Sequence, residues 1–192
     1  MNYLIDTHAH LDMYDNWAEI FQDAQDNGIK KVVIPSVETQ YFHKIIDISN
    51  SNDDLFCMLG IFPTESKTWS DDILDTMREL SHNKKVVAVG EIGLDYHYDD
   101  TDKERQKYIF KKQLEFAERY NKPVIVHSRD AIEDTYNILK EYNVRGSIHA
   151  FSGSVEMANK FIRLGFYIGV GGVVTFKNAK AAKEVASNTE WK

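Results

Sequence analysis

Short apolar runs alternate along this chain with longer amphipathic ones. The runs are "YLIDTHA", "KKVVIPSV", "LFCMLGI", "VVAVGEIGL", "PVIVHSR", "RGSIHAF" and "FYIGVGG". They are rich in Val and Ile, and Gly, Pro, Asn or Lys bound them, which is the signature of short strands. Between them the spacing predicts helices near residues 15–27, 40–50, 70–82, 102–121, 130–142, 154–164 and 177–188. The fourth is the clearest, with Phe110, Leu114, Ala117 and Tyr120 on one stripe of a segment rich in Lys and Glu. Asp130 and Ser154 stand where helix N-caps are expected, and Gly28 and Gly165 where helices should stop. Seven successive βα units whose strands are apolar on both faces imply an α/β fold, a parallel sheet covered by helices. Period alone is compatible with an open sheet or a barrel. No linker or low-complexity segment divides the chain, so residues 1–192 read as a single domain.

Composition adds boundaries to this picture. The 192 residues suffice for one substantial core, and 43% hydrophobic content is globular. No apolar run approaches the roughly 20 residues that span a bilayer, and no targeting pattern opens the chain. Cys57 is the single cysteine, set in "LFCMLGI", and reads as a small buried hydrophobe in a reducing compartment. A net charge of −7 argues against broad electrostatic binding to nucleic acid. It leaves room for an enzyme whose phosphate contacts pass through bound metal ions.

The polar residues that interrupt the strands carry the chemistry. All fall at the C-terminal ends of the runs: His8 and His10 close the first, Glu91 the fourth, His127 the fifth and His149 the sixth. In parallel α/β architectures the C-terminal ends of the strands are where ligands bind. Side chains at i and i+2 of a strand point to one face, so His8 and His10 can reach a single ion. Imidazole suits zinc, manganese, nickel or iron, while a carboxylate also tolerates magnesium. Glu91, inside an apolar strand, needs a cation or a strong donor. An ion pair with Arg129 is the alternative to a metal. His43, His82 and His97 lie in helices or loops and read as ordinary polar positions.

"IDTHAHLD", "GEIGLDYH", "PVIVHSRDA" and "IHAFSGS" together resemble the TatD-type metal-dependent deoxyribonucleases, in order along the whole chain. That resemblance implies a TIM-barrel fold, two divalent ions (magnesium, zinc or manganese), DNA as the substrate and a cytoplasmic setting without membrane attachment. It implies His8, His10, Glu91, His127 and His149 as metal ligands, with Glu91 bridging the ions and catalytic. Arg129 becomes a candidate phosphate contact, and Asp6 and Asp95 candidates for orienting the ligand histidines.

Two departures from the family pattern shape further expectations. Where the family reads Gly-x-His-Pro, this chain has "GIFP", placing Phe62 at a substrate-binding position; its ring can stack on a base but cannot donate to a phosphate. The family also continues into an eighth strand ending in a metal-binding Glu-Thr-Asp, whereas this chain ends at "SNTEWK". A chain without that unit is expected to bind metal more weakly, to show little nuclease activity and to self-associate through exposed sheet edges. Two other readings follow: a hydrolase of a different ester or amide, and a truncated fragment that binds metal or a partner without turnover.

Overall fold

A computed structural model describes residues 3–189. The chain forms two compact units, divided after Glu91 within one strand.

The first unit holds β1 (Leu4–Asp6), α1 (Trp17–Asp26), β2 (Ile29–Pro35), α2 (Phe42–Asn50), β3 (Leu55–Leu59), α3 (Ile73–Leu80) and the first part of β4 (Val86–Asp95). Its strands are parallel neighbours in chain order: Asp6 pairs with Val32, Ile34 with Cys57, and Leu59 with Val89. Ile34, Leu55, Cys57 and Met58 are fully buried, as are Ile45 of α2 and Met77 of α3. Cys57 is thus part of the core, as its apolar setting implied. Gly28 follows α1 at φ 90°, a left-handed position that only glycine adopts without strain.

The second unit continues β4 from Ile92 and adds α4 (Lys103–Arg119), β5 (Val124–Arg129), α5 (Ile132–Leu139), β6 (Gly146–Ile148), α6 (Val155–Arg163), β7 (Tyr167–Ile168) and α7 (Lys180–Asn188). Strands β5, β6 and β7 are parallel and adjacent in chain order, with Val126 against Ile148 and Ile148 against Ile168. At Gly93 any Cβ would run into the backbone carbonyl of His127, so glycine is what lets β4 approach β5 at that point. Phe110, Leu114 and Ala117 are fully buried on one stripe of α4. Tyr120, expected on the same stripe, is 38% exposed at the helix C-cap and packs on Phe116.

All seven expected helices are present, each within a few residues of the predicted range. Ser154 caps α6 by accepting the Met157 N–H at 3.2 Å, as expected. Asp130 does not cap α5. It sits at φ 53°, with its carboxylate 3.3 Å from His97 Nδ1, and Ala131 occupies the cap position. The strand ends also shift: β1 stops at Asp6, two residues before His8, and β4 runs on through Glu91 to Asp95. Among the described residues no helix is long and apolar enough to cross a membrane.

Candidate metal centre

β1 ends where the Asp6 carboxylate accepts the backbone N–H of His8 at 2.9 Å. Asp6 therefore holds the His8 backbone; the orienting contact expected of it is made to the main chain instead of a ring. The chain then turns through His10 into a short 3-10 turn at Leu11–Met13. That turn is anchored by Lys44 of α2, whose ammonium donates to the Asp12 carbonyl at 2.6 Å.

Although neither histidine lies in the strand, their Nε2 atoms approach to 3.3 Å, with the rings nearly perpendicular. Glu91 projects from β4 to the same place. Its Oε2 is 3.2 Å from His8 Nε2 and 4.0 Å from His10 Nε2. One ligand atom from each of the three residues falls within 4.8 Å of the other two. The Glu91 side chain is 5% exposed and that of His8 6%. Two imidazole nitrogens and a carboxylate oxygen around one point form a donor set that suits a divalent transition ion or zinc.

The electrostatics agree with that use. Burial, reinforced by His8, holds the His10 imidazole below its usual pKa and so favours the neutral ring that can ligate. Among the described residues, His10 Nδ1 and Asp12 Oδ1 are buried without a hydrogen-bond partner. Burial pushes the Asp12 carboxyl up from its ordinary value, and His10 opposes that shift. Asp12, which interacts electrostatically with His10, is a neighbour of the site that reading the sequence missed. Its signal was present, because it lies two positions after His10 in "HAHLD".

In the second unit, His127 of β5 pairs its Nε2 with Asp95 Oδ2 at 2.9 Å. Asp95 is 2% exposed and firmly held: its other oxygen accepts the His97 N–H, and its own N–H donates to Gln106 Oε1. Asp95, expected to orient a histidine, thus contacts the His127 ring directly. Gln106, on α4, was not foreseen, because its relation to β4 is purely tertiary. His149 stands one residue beyond β6, its N–H donated to the Val126 carbonyl. Arg129 ends β5 with an exposed side chain. In the first unit, Phe62 is half-buried, and its N–H donates to the Val37 carbonyl at 2.9 Å.

Residues 5–191 match the sequence profile of the family described as TatD related DNase. The chain belongs to the TatD family. Among its relatives is YabD of Bacillus subtilis, named an uncharacterized metal-dependent hydrolase, which is 38% identical over 188 residues. That alignment covers 95% of this chain and 74% of YabD. The crystal structure of YJJV, a TatD homolog from Escherichia coli K12, superposes with a TM-score of 0.88 at 33% identity. It covers 97% of this TatD-family chain and 75% of YJJV. A protein of Enterocytozoon bieneusi, provisionally named a deoxyribonuclease TATDN1 homolog, is 37% identical over 154 residues, 74% of this chain and 55% of that protein. The fold expected from the sequence, α/β of the TIM-barrel type with seven βα units, is thus the fold of a TatD-family hydrolase.

Proposed function

We propose that this chain is a metal-dependent phosphodiesterase acting on DNA, a deoxyribonuclease of exonuclease type that works in the cytoplasm with two divalent ions. The observation that carries the reading is the convergence of His8, His10 and Glu91 in a chain with the TatD family profile. These three residues would hold one ion, and His127 and His149 the second. When bound, such ions polarise a phosphoryl oxygen and lower the pKa of a coordinated water.

The remaining residues have supporting work. Asp95 fixes the ring of His127 through Nε2. Asp6 fixes the backbone at His8 and thereby the direction from which its ring enters the site. The exposed guanidinium of Arg129 would meet a phosphate through two parallel N–H groups. Phe62 offers an aromatic face to a base. Glu91 is the residue without which the set loses its only anionic donor.

The test is release of nucleotides from a 3′-overhang DNA with added magnesium, manganese or zinc, beside RNA, small phosphate-ester and aminoacyl substrates. Whatever DNA hydrolysis the parent shows, weak as the sequence leads one to expect, should fall to background in Glu91→Ala, with loss of bound metal measured by mass spectrometry. His43→Ala, on the exposed side of α2, should change neither. Turnover of a different ester with DNA untouched would replace the substrate. Unchanged metal content in Glu91→Ala would remove Glu91 from the centre.

A further inference from the structure

Ser36 lies just past the end of β2, in a run that reads from the sequence as nothing more than strand. It is 1% exposed, and every polar atom it owns is engaged with a neighbouring strand of the first unit. Its hydroxyl accepts the Gly60 N–H at 2.7 Å and donates to the Gly60 carbonyl at 2.8 Å. The same hydroxyl is 3.4 Å from the Gly90 carbonyl. Its backbone carbonyl accepts the Glu91 N–H at 3.2 Å, and its own N–H donates to the Met58 carbonyl. The next residue, Val37, accepts the Phe62 N–H.

We infer that Ser36 is a positioning residue for the metal centre, fixing the Gly90–Glu91 peptide so that the Glu91 carboxylate meets His8 and His10. The inference rests on the metal-site reading above and deepens it. Both polar atoms of the Gly90–Glu91 peptide unit face Ser36, one toward its hydroxyl and one toward its carbonyl. A serine hydroxyl has one proton and two lone pairs, and here a single hydroxyl serves both polar groups of Gly60 while lying beside Gly90. Alanine at 36 would leave the buried Gly60 groups without that partner and loosen the hold on the β4 backbone at the residue before Glu91. Glu91 sits on a buried segment with no solvent to compensate, so a small rotation of its peptide moves the carboxylate away from both histidines. Outer partners of this kind are commonly worth about 10- to 100-fold in metal affinity. The hydroxyl also holds Gly60 in "GIFP", so the same residue sets the start of the loop that carries Phe62.

Cobalt(II) titration of the full chain, read by visible absorption and calorimetry, tests this without any dependence on turnover. The variants are Ser36→Ala, Glu91→Gln, the double variant, and Met77→Ala as a core-destabilised control remote from the ligands. Ser36→Ala should bind cobalt about 10-fold more weakly with an altered absorption envelope. Glu91→Gln should weaken binding too, and adding Ser36→Ala to it should cost nothing further. Met77→Ala should lose stability yet keep the parent's affinity and spectrum. Should Ser36→Ala not fold, Ser36→Cys serves in its place, since a thiol is the poorer hydrogen-bonding group. Parental affinity and spectrum in the Ser36 variant would overturn the inference, as would an equal loss in the Glu91→Gln background. Unchanged cobalt binding by Glu91→Gln would instead overturn the metal-site reading, and the inference with it.

Discussion

Glu91 concentrates the chemistry of the first unit at the scale of the residue. A carboxylate this buried is costly unless a cation or strong donors meet it, and its neighbours here are two imidazoles whose nitrogens also face each other. Phe62 is the residue at which this chain departs from the pattern it resembles, and that departure has a measurable consequence. If the position serves the substrate, Phe62→His should raise the rate of DNA hydrolysis by about 10-fold, the worth of one added hydrogen bond of ~1–1.5 kcal/mol. Equal rates in single-turnover assays of parent and variant would take phosphate binding away from this position. His8, His10 and Glu91, which the structure brings together, were legible in the sequence as candidates because each sits in a local motif whose spacing suits the chemistry. Ser36, Asp12 and Gln106 were not, or only barely. What they contribute are tertiary contacts, a hydroxyl linking Gly60 and Gly90, a buried carboxylate near His10 and an amide reaching back to β4, none of which a one-dimensional pattern encodes.

Among the elements, strands and helices followed the hydrophobic period closely, while their ends followed side-chain hydrogen bonds. β1 stops at Asp6 because the Asp6 carboxylate takes the N–H of His8, so a run that looked like strand through residue 9 turns early. Asp130 fails as a cap because its left-handed backbone aims the carboxylate at His97. A second side-chain link joins the residue after β4 to α4 and α5 within the second unit. Tyr96 donates to Asp134 at 2.8 Å, and the Lys107 ammonium lies 2.9 Å from the same oxygen. These partners, Lys107 first, hold the Asp134 carboxyl below its ordinary range. Burial, then the Asp134 bond, pushes the Tyr96 hydroxyl up. A carboxyl with a depressed folded-state pKa contributes stability above the unfolded value of about 3.9, and loses it as pH falls through the folded value. Urea midpoints of the parent and Asp134→Asn should therefore differ at neutral pH and converge only as pH falls below the depressed folded-state value, where both carry an uncharged group. A gap independent of pH would mean that Asp134 acts by packing alone. The effect should be modest, because the Asp134 side chain is 39% exposed.

The whole molecule carries a net charge of −7, an unusual balance for a protein proposed to work on a polyanion. If metal ions make the decisive phosphate contacts, DNA affinity should depend on divalent ions far more than on monovalent salt. Fluorescence anisotropy with a labelled, uncleavable phosphorothioate DNA should show binding with manganese and at least about 10-fold weaker binding after chelation. The salt slope should correspond to only one or two phosphates neutralised by protein cations. Strong metal-independent binding with a steep salt slope would point to a basic surface that the composition does not suggest. Ion binding to the folded chain should also raise its melting temperature in a concentration-dependent way.

The central claim, that His8, His10 and Glu91 form a metal centre, is tested most directly by anomalous X-ray scattering from crystals of the chain grown with zinc. The account predicts an anomalous peak about 2.0–2.2 Å from His8 Nε2, His10 Nε2 and a Glu91 oxygen, absent from crystals of Glu91→Ala. A fully occupied zinc elsewhere in the first unit, with these three side chains left hydrogen-bonded to one another, would contradict it.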